Sequence, residues 1–271
     1  MSIDLSTLPP PNVVEPLNYA DILKQMQDDF VSRWPDYAFE PHDPVTKVLE
    51  VSAFRELALR QRLNEAAKAN LLAFAQSADL DHLAAFYGVE RLAGEADAAL
   101  RRRVQLRISG WGAGTSDYYR YHALSASGHV LDAFVSRGEA GQVEVALLTD
   151  GTDGVLETVT HYLHRDNIRM MSDLVAVGLA TAHPIKVEAN LWRTPNALSN
   201  VLSLVNEAVV NAFKQAAGLG WDVTTSWLMA QMHIAGVQKV ELITPKQDTV
   251  IPNNGYAQLT QVVLHDQGEA W

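Results

Sequence analysis

Cysteine is missing from all 271 positions. That single absence excludes disulfides, thiol nucleophiles, zinc ribbons and thiolate-held iron clusters together. Excess positive charge is missing too: 21 Lys and Arg stand against 32 Asp and Glu, a formal charge of −11. Nucleic acid is therefore a poor candidate ligand, because phosphates need a concentrated basic face. No stretch approaches the roughly 18 consecutive apolar residues of a membrane span. The opening MSIDLSTLPPPNVVEPLNYAD has neither the basic start nor the apolar run of a secretory signal, so synthesis in a cytoplasm is the expectation. With 48% hydrophobic and 20% charged residues the composition is that of a globular chain. At this length such a chain buries roughly 70–75% of its unfolded surface, enough for one large core or two or three modest ones.

Periodicity divides the chain into a helical front and a mixed back. Residues 1–17, with Pro9, Pro10, Pro11 and Pro16, read as an extended arm, since proline fixes φ and removes a donor. From Asn18, a natural cap, Tyr19, Leu23, Met26, Phe30 and Trp34 recur at steps of three and four, which predicts a helix over 18–34 closed by Pro35. Residues 45–76 lack Gly and Pro and are rich in helix formers, giving one long helix or two collinear ones. Shorter helices are expected at 79–87, closed by Gly88, at 95–108, and from Thr115 or Ser116 to about residue 126.

Beyond residue 128 the period changes to two. Val143, Val145 and Leu147, and then Ile185, Val187, Ala189 and Leu191, alternate with other residues as strands with one buried face do. Strands at 130–136 and 174–180 with a helix at 154–165 complete an expected small α+β sandwich of strand, strand, helix, strand, strand. A long helix from about Asn196 to residue 217, a short one at 225–235, and strands at 237–243 and 256–264 follow. The fold class is thus α+β: an arm at 1–17, a helical domain at 18–127, a small α+β domain at 128–192 and a mixed α+β C-terminal domain at 193–271.

Chemical motifs are weak throughout. The cluster GWGAG at 110–114 has G-x-G-x-G spacing, follows a helix rather than a strand and precedes no lysine, so a turn explains it better than a phosphate loop. His161 and His164 lie three apart near Asp166, but no third ligand stands at helical spacing, and no metal or cofactor is expected. No G-x-S-x-G elbow exists, and acidic pairs such as Asp79/Asp81 sit where helices begin. The basic run Arg101, Arg102, Arg103, with Arg107 after it and Asp97 four residues before Arg101, reads as a solvated helical face ahead of an arginine-rich interface. No catalytic residue is assigned.

Three blocks carry a resemblance. NEAAKANLLAFAQSADLDHLAAFYGVER (64–91), RRRVQLRISGWGAGTSDYYRYHALSAS (101–127) and ELITPKQDTVIPNNGYAQL (241–259) resemble, in order, segments of the baseplate J-like family. The likeness spans about residues 40 to 265. It departs at Ser77, where the family often shows Gly before the Ala-Asp-Leu-Asp turn, and at 169–173, where an Arg-Pro-like turn reads RMMSD.

The resemblance implies a structural wedge component of the baseplate of a contractile tail, in a phage or a tail-derived bacteriocin, made in the bacterial cytoplasm and resident in the particle. It implies two copies per wedge, a small tail protein as partner, contacts with a sheath initiator or other inner baseplate proteins, and a ring that rearranges on contraction. Bundling of helices from two copies and the small protein would make the stripe Tyr19, Leu23, Met26, Phe30, Trp34 an assembly seam; the alternative is packing on the chain's own helix at 45–76. The rival class is an α+β enzyme without a recognisable motif.

Overall fold

The computed structural model describes residues 9, 11, 13–195, 197–198, 200–216 and 218–270. By internal contacts the chain separates into two compact units: residues up to Arg91 with Glu95–Gln105, and Leu92–Gly94 with the residues from Leu106 on.

In the first unit, helix α1 (Tyr19–Arg33) begins where expected, with the Asn18 side chain accepting from Ala20 N at 2.9 Å. Helix α2 (Pro44–Ala69) has Asp43 as its cap and proline in its first turn, where a missing N–H removes no bond. It is one helix, and it stops seven residues before the expected end. Asn70 folds its side-chain amide back onto the Ala66 carbonyl at 2.7 Å, and a turn then carries the chain to helix α3 (Ser77–Phe86). Helix α4 (Asp97–Ser109) follows, with its residues up to Gln105 in this unit and its last turn in the second. Leu80, Ala84, Val89, Leu100 and Val104 form the buried centre.

The second unit opens with helix α5 (Ser116–Ala126), capped by Thr115 on Tyr118 N. Strands β1 (Val130–Arg137) and β2 (Gln142–Thr149) pair antiparallel. Helix α6 (Val155–Leu163) then crosses over to strand β3 (Leu174–Leu179), parallel to β2. The second sheet has the order β5-β4-β6, made of β4 (Thr181–Arg193), β5 (Val237–Thr244) and β6 (Gly255–Glu269). Helices α7 (Val201–Gln215) and α8 (Thr225–Met232) lie between β4 and β5 in sequence. The expected start of α7, Asn196, lies outside the described residues, as do most of the residues of the expected arm.

One expectation is corrected. The strand containing Ile185–Leu191 was expected to complete the middle α+β unit, but β4 pairs with β5 and β6 instead. Only Ala180 separates β3 from β4. A return onto the same sheet needs a tight turn of about two residues or more, so the chain runs on into the next sheet. The face assignment itself stands: Ile185, Val187, Ala189 and Leu191 are buried against Val201, Val205, Val209 and Phe213, which recur every four residues along α7.

Candidate functional site

The surface of interest is built by α1 and α2. Of the five stripe residues, four on α1 and Trp34 at its C-cap, Leu23, Met26 and Phe30 are half-buried and Tyr19 and Trp34 are exposed; the residue of α1 that buries fully is Ile22, beside the stripe. The Tyr19 hydroxyl donates to the Glu50 carbonyl of α2 at 3.4 Å, so α1 lies against the long helix of its own chain without filling the contact. At the far end Phe30 meets Trp34, Tyr37 and Phe39 at ring-centre distances of 6.3, 4.9 and 5.7 Å. This aromatic knot is made by the turn after Pro35 folding back on α1.

The face that sequence reading missed is on α2. Val48, Val51, Phe54, Leu59 and Leu63 are each 60–64% exposed and lie on one half of the helix surface. In the sequence these residues are indistinguishable from core positions, because apolar residues occur all round α2; only knowing which half α1 covers reveals the other. Monomeric surfaces seldom leave such a run open without a partner. The inward side of α2 is correspondingly thin, with Ala53 its one buried apolar residue and Thr46 and Asn64 its buried polar ones. The Asn64 amide pairs with both the N–H and the C=O of Glu15, at 3.1 and 2.8 Å. A side chain thereby reproduces a strand-like pair of bonds and fixes the described end of the proline-rich segment along α2.

The arginines of α4 are corrected from a solvated face to structural pins. Arg103 is 4% exposed and holds Glu95 at 2.8 Å, with a further bond to the Glu90 carbonyl. Arg101 donates to the carbonyls of Leu72 and Ala75, both at 2.7 Å, closing the turn between α2 and α3. Arg91 joins Asp81 and Asp97 at 2.6 and 2.8 Å. The bond from Ser77 N, with Arg91 beside it, holds the Asp97 carboxyl below the usual range, while Asp81 leads the groups that raise Arg91. These bonds explain why so many charges sit at one place in an otherwise small helical unit: they satisfy carbonyls that the turn leaves unpaired.

The GWGAG glycines have a packing role. A Cβ at Gly110 would come within 2.8 Å of the Leu106 carbonyl and 2.7 Å of Tyr118 N, so only glycine lets the end of α4 approach the start of α5 this closely; Gly114 sits at φ +83°. His164 bonds the Thr160 carbonyl at 2.7 Å, and among the described residues no cluster of three or more His, Asp or Glu is placed to hold a metal ion. On α5, Tyr118 and Tyr119 donate to the Ile168 carbonyl and to Asp173, pinning the 168–173 turn. Burial first, then the neighbouring Asp173, push the Tyr119 hydroxyl up to about 12. His122 lies among Tyr118, Tyr121 and Tyr162 with its Nδ1 buried and unpartnered; burial, with Arg107 beside it, lowers it to about 4.

With the surface described, comparison with known proteins gives its context. A family model, the Baseplate J-like N-terminal domain, matches residues 42–97, the segment running from α2 through α3 to the start of α4. Baseplate protein J of Escherichia phage P2 is 33% identical over 279 aligned residues, covering 92% of both chains. The chain belongs to the baseplate J-like family. It is a baseplate protein, and the recognition from its three sequence blocks agrees with this membership. A chain in the cryo-EM structure of the anti-feeding prophage baseplate is also similar, at 13% identity and a TM-score of 0.38. That match covers 61% of this chain and 42% of that one. Within the family, the matched segment is the one that carries the open face of α2.

Proposed function

We propose that the chain is a non-catalytic structural component of the baseplate wedge of a contractile phage tail or tail-like bacteriocin. Two copies associate in each wedge with a small tail protein, and the wedges close into a ring that rearranges on contraction. The observation that carries this reading is the open apolar face of α2, in a helix pair too thinly packed to need it internally and inside the segment the family model matches. Helix surfaces of this kind seat partner helices through residues three and four apart. The stripe Tyr19, Leu23, Met26, Phe30, Trp34 forms the rest of the proposed seam.

Co-purification tests it. Wild-type chain expressed with the small tail protein is expected to yield a complex of fixed stoichiometry with two copies of this chain. The variant Val51→Glu/Leu59→Glu changes only exposed positions, so the isolated fold is expected to survive. Each lost apolar burial is worth about 1.5 kcal/mol or more, so complex formation should weaken well over tenfold. A soluble wild-type chain that forms no such complex, or a double variant that assembles normally, counts against the proposal.

A further inference from the structure

The second interaction surface lies in the other unit, along β6. The strand order β5-β4-β6 leaves β6 with one paired edge and one outer edge. Outward pairing ends at Gly255, whose carbonyl accepts from Gly220 N at 3.0 Å; from Tyr256 through Val262 no bond from another segment reaches the outer edge among the described residues. In a paired strand every second residue turns its N–H and C=O away from the neighbour, so this edge presents a row of donors and acceptors.

A groove of about 450 Å³ runs beside it. All seven consecutive residues 256–262 line the groove. Because successive side chains of a strand point to opposite faces, a cavity touching all seven follows the edge and not a face. Its walls are mostly apolar, with Thr149 and Asn206 as polar members. Val210 and Phe213 come from α7, with Lys214 as the one charged lining residue, and Leu131 and Leu148 come from the first sheet. Leu131 is there because of a bulge: Val130 pairs with Thr149 and Asp132 with Leu148, so Leu131 is the extra residue, turned out and 50% exposed. Bulges that re-aim one side chain recur beside binding sites.

Edges are normally protected by charge, proline or short length. β1 carries Asp132 and Arg137 and β5 carries Lys239 and Glu241. β6 spans 15 residues, and its first ten, GYAQLTQVVL, hold no charged residue and no proline. An open edge of this length, uncharged and walled by leucines, is suited to receiving a strand.

We propose that the outer edge of β6 over residues 256–262 is a strand-addition site for an extended, uncharged segment of a different protein chain of the particle. Main-chain bonds to the edge hold the segment, and alternate apolar side chains fill the slot between Leu131 and Val210. Because Leu131, Leu148, Val210 and Phe213 wall this edge in every copy, β6 of a second copy would meet the same walls, and a single extended segment suits the site better than pairing between two copies of β6. It rests on the assembly reading only for the source of the strand.

Hydrogen exchange on the whole chain, alone and in purified tail particles, tests this. Amides of the outer edge within 256–262 are expected to exchange freely in the isolated chain and at least about a hundredfold more slowly in the particle. Because the chain has no cysteine, Gln258→Cys supplies a single thiol for a short photo-crosslinker, expected to capture an extended segment of another baseplate protein. Leu131→Asp, at a position already exposed, is expected to leave the isolated chain folded and to remove both the protection and the crosslink. Equal exchange in the two states overturns the proposal, as does a crosslink to β6 of a second copy or to a helix, or a folded Leu131→Asp variant with unchanged protection. Should that variant not fold, exchange and crosslinking of the Gln258→Cys chain still decide. Absence of the chain from tail particles overturns the wedge assignment, and this strand source with it; presence with a bare edge overturns the strand site alone.

Discussion

The α1–α2 pair is the longer and the β4–α7 layer the more deeply buried. α1 and α2, with 15 and 26 residues, bury Ile22, Thr46, Ala53 and Asn64, two of them polar. β4 and α7, with 13 and 15 residues, bury Ile185, Val187, Ala189, Leu191, Val201, Val205, Val209 and Phe213. At about 1.5–3 kcal/mol per large side chain fully buried, the second layer is stabilised several times more strongly than the first. The open half of α2 holds five large apolar residues that leave most of their surface in solvent in the isolated chain. The second layer is therefore a self-sufficient core, and the first leaves its larger apolar face open, as the proposed assembly requires.

The largest effect belongs to the self-sufficient side. Val187 is fully buried in β4, whereas the neighbouring Lys186 faces outward and pairs with Glu188 at 2.8 Å. Val187→Asp places an unpaired charge in the core at a cost of several kcal/mol, and soluble expression is expected to be lost. Lys186→Asp gives up one exposed ion pair, worth under about 1 kcal/mol, and is expected to express normally. Comparable yields from the two would mean that the faces of β4 are reversed.

Under the proposed assembly, the α1–α2 side is expected to respond to complex formation and not to isolation. Phe30→Ala/Trp34→Ala removes the centre of the aromatic knot and the end of the stripe. Trp34 is 59% exposed, so much of its apolar surface is free to be covered by a partner. Complex formation with the small tail protein is expected to fall more than tenfold while the isolated chain keeps its helical circular dichroism. A double variant that loses its helical signal when alone would make the knot an intramolecular core instead.

Most element positions were legible because they rest on local rules. Asn18, Thr115 and Gly88 mark helix ends, and period-two alternation marks β2 and β4. What was not legible depends on contacts distant in sequence. Which sheet β4 joins is decided by the short link at Ala180 and by α7, and neither leaves a trace in the strand's own pattern. The arginines of α4 looked solvated because their acceptors, Leu72, Ala75 and Glu90, are backbone carbonyls of another turn. The bulge at Leu131 and the bare edge of β6 exist only once strands are paired. The identity of the family was readable from three short blocks, while the open face of α2 was hidden by the apolar residues on its other half.

Acid is expected to act on the second unit through His122. Its folded-state value, about 4, lies below the unfolded 6.5, so the native state favours the neutral ring. As pH falls below 6.5 the unfolded chain takes up the proton first, and stability declines until about pH 4, where the native ring protonates too. The groups around it are Tyr118 and Tyr121 on its own helix, Tyr162 on α6 and Arg107 at the end of α4, and of these the arginine opposes the charged form. Discounted for the part of the ring that solvent reaches, the loss is about 2 kcal/mol. His122→Phe keeps the aromatic contacts and is expected to flatten the melting temperature between pH 6.5 and 4; an unchanged slope would place the acid sensitivity elsewhere.

The smallest effect is a gain, and it falls in the thinly packed helical unit. Ser77 is the one described non-glycine residue with positive φ, at +48°. A side chain in the left-handed region costs of order 1 kcal/mol, a cost that glycine does not incur. The bonds that Ser77 makes to its surroundings, from its N–H to Asp97 at 2.9 Å and from Arg91 to its carbonyl at 3.4 Å, are made by the backbone and survive the change. Against this, glycine gives the unfolded chain more freedom, which offsets part of the relief. Ser77→Gly is therefore expected to stabilise the helical unit by roughly 0.5 kcal/mol, seen as a slightly higher urea midpoint at constant slope. A lower midpoint would mean that the serine hydroxyl or its restriction of the unfolded chain outweighs the backbone strain, and that the turn into α3 is held by the side chain after all.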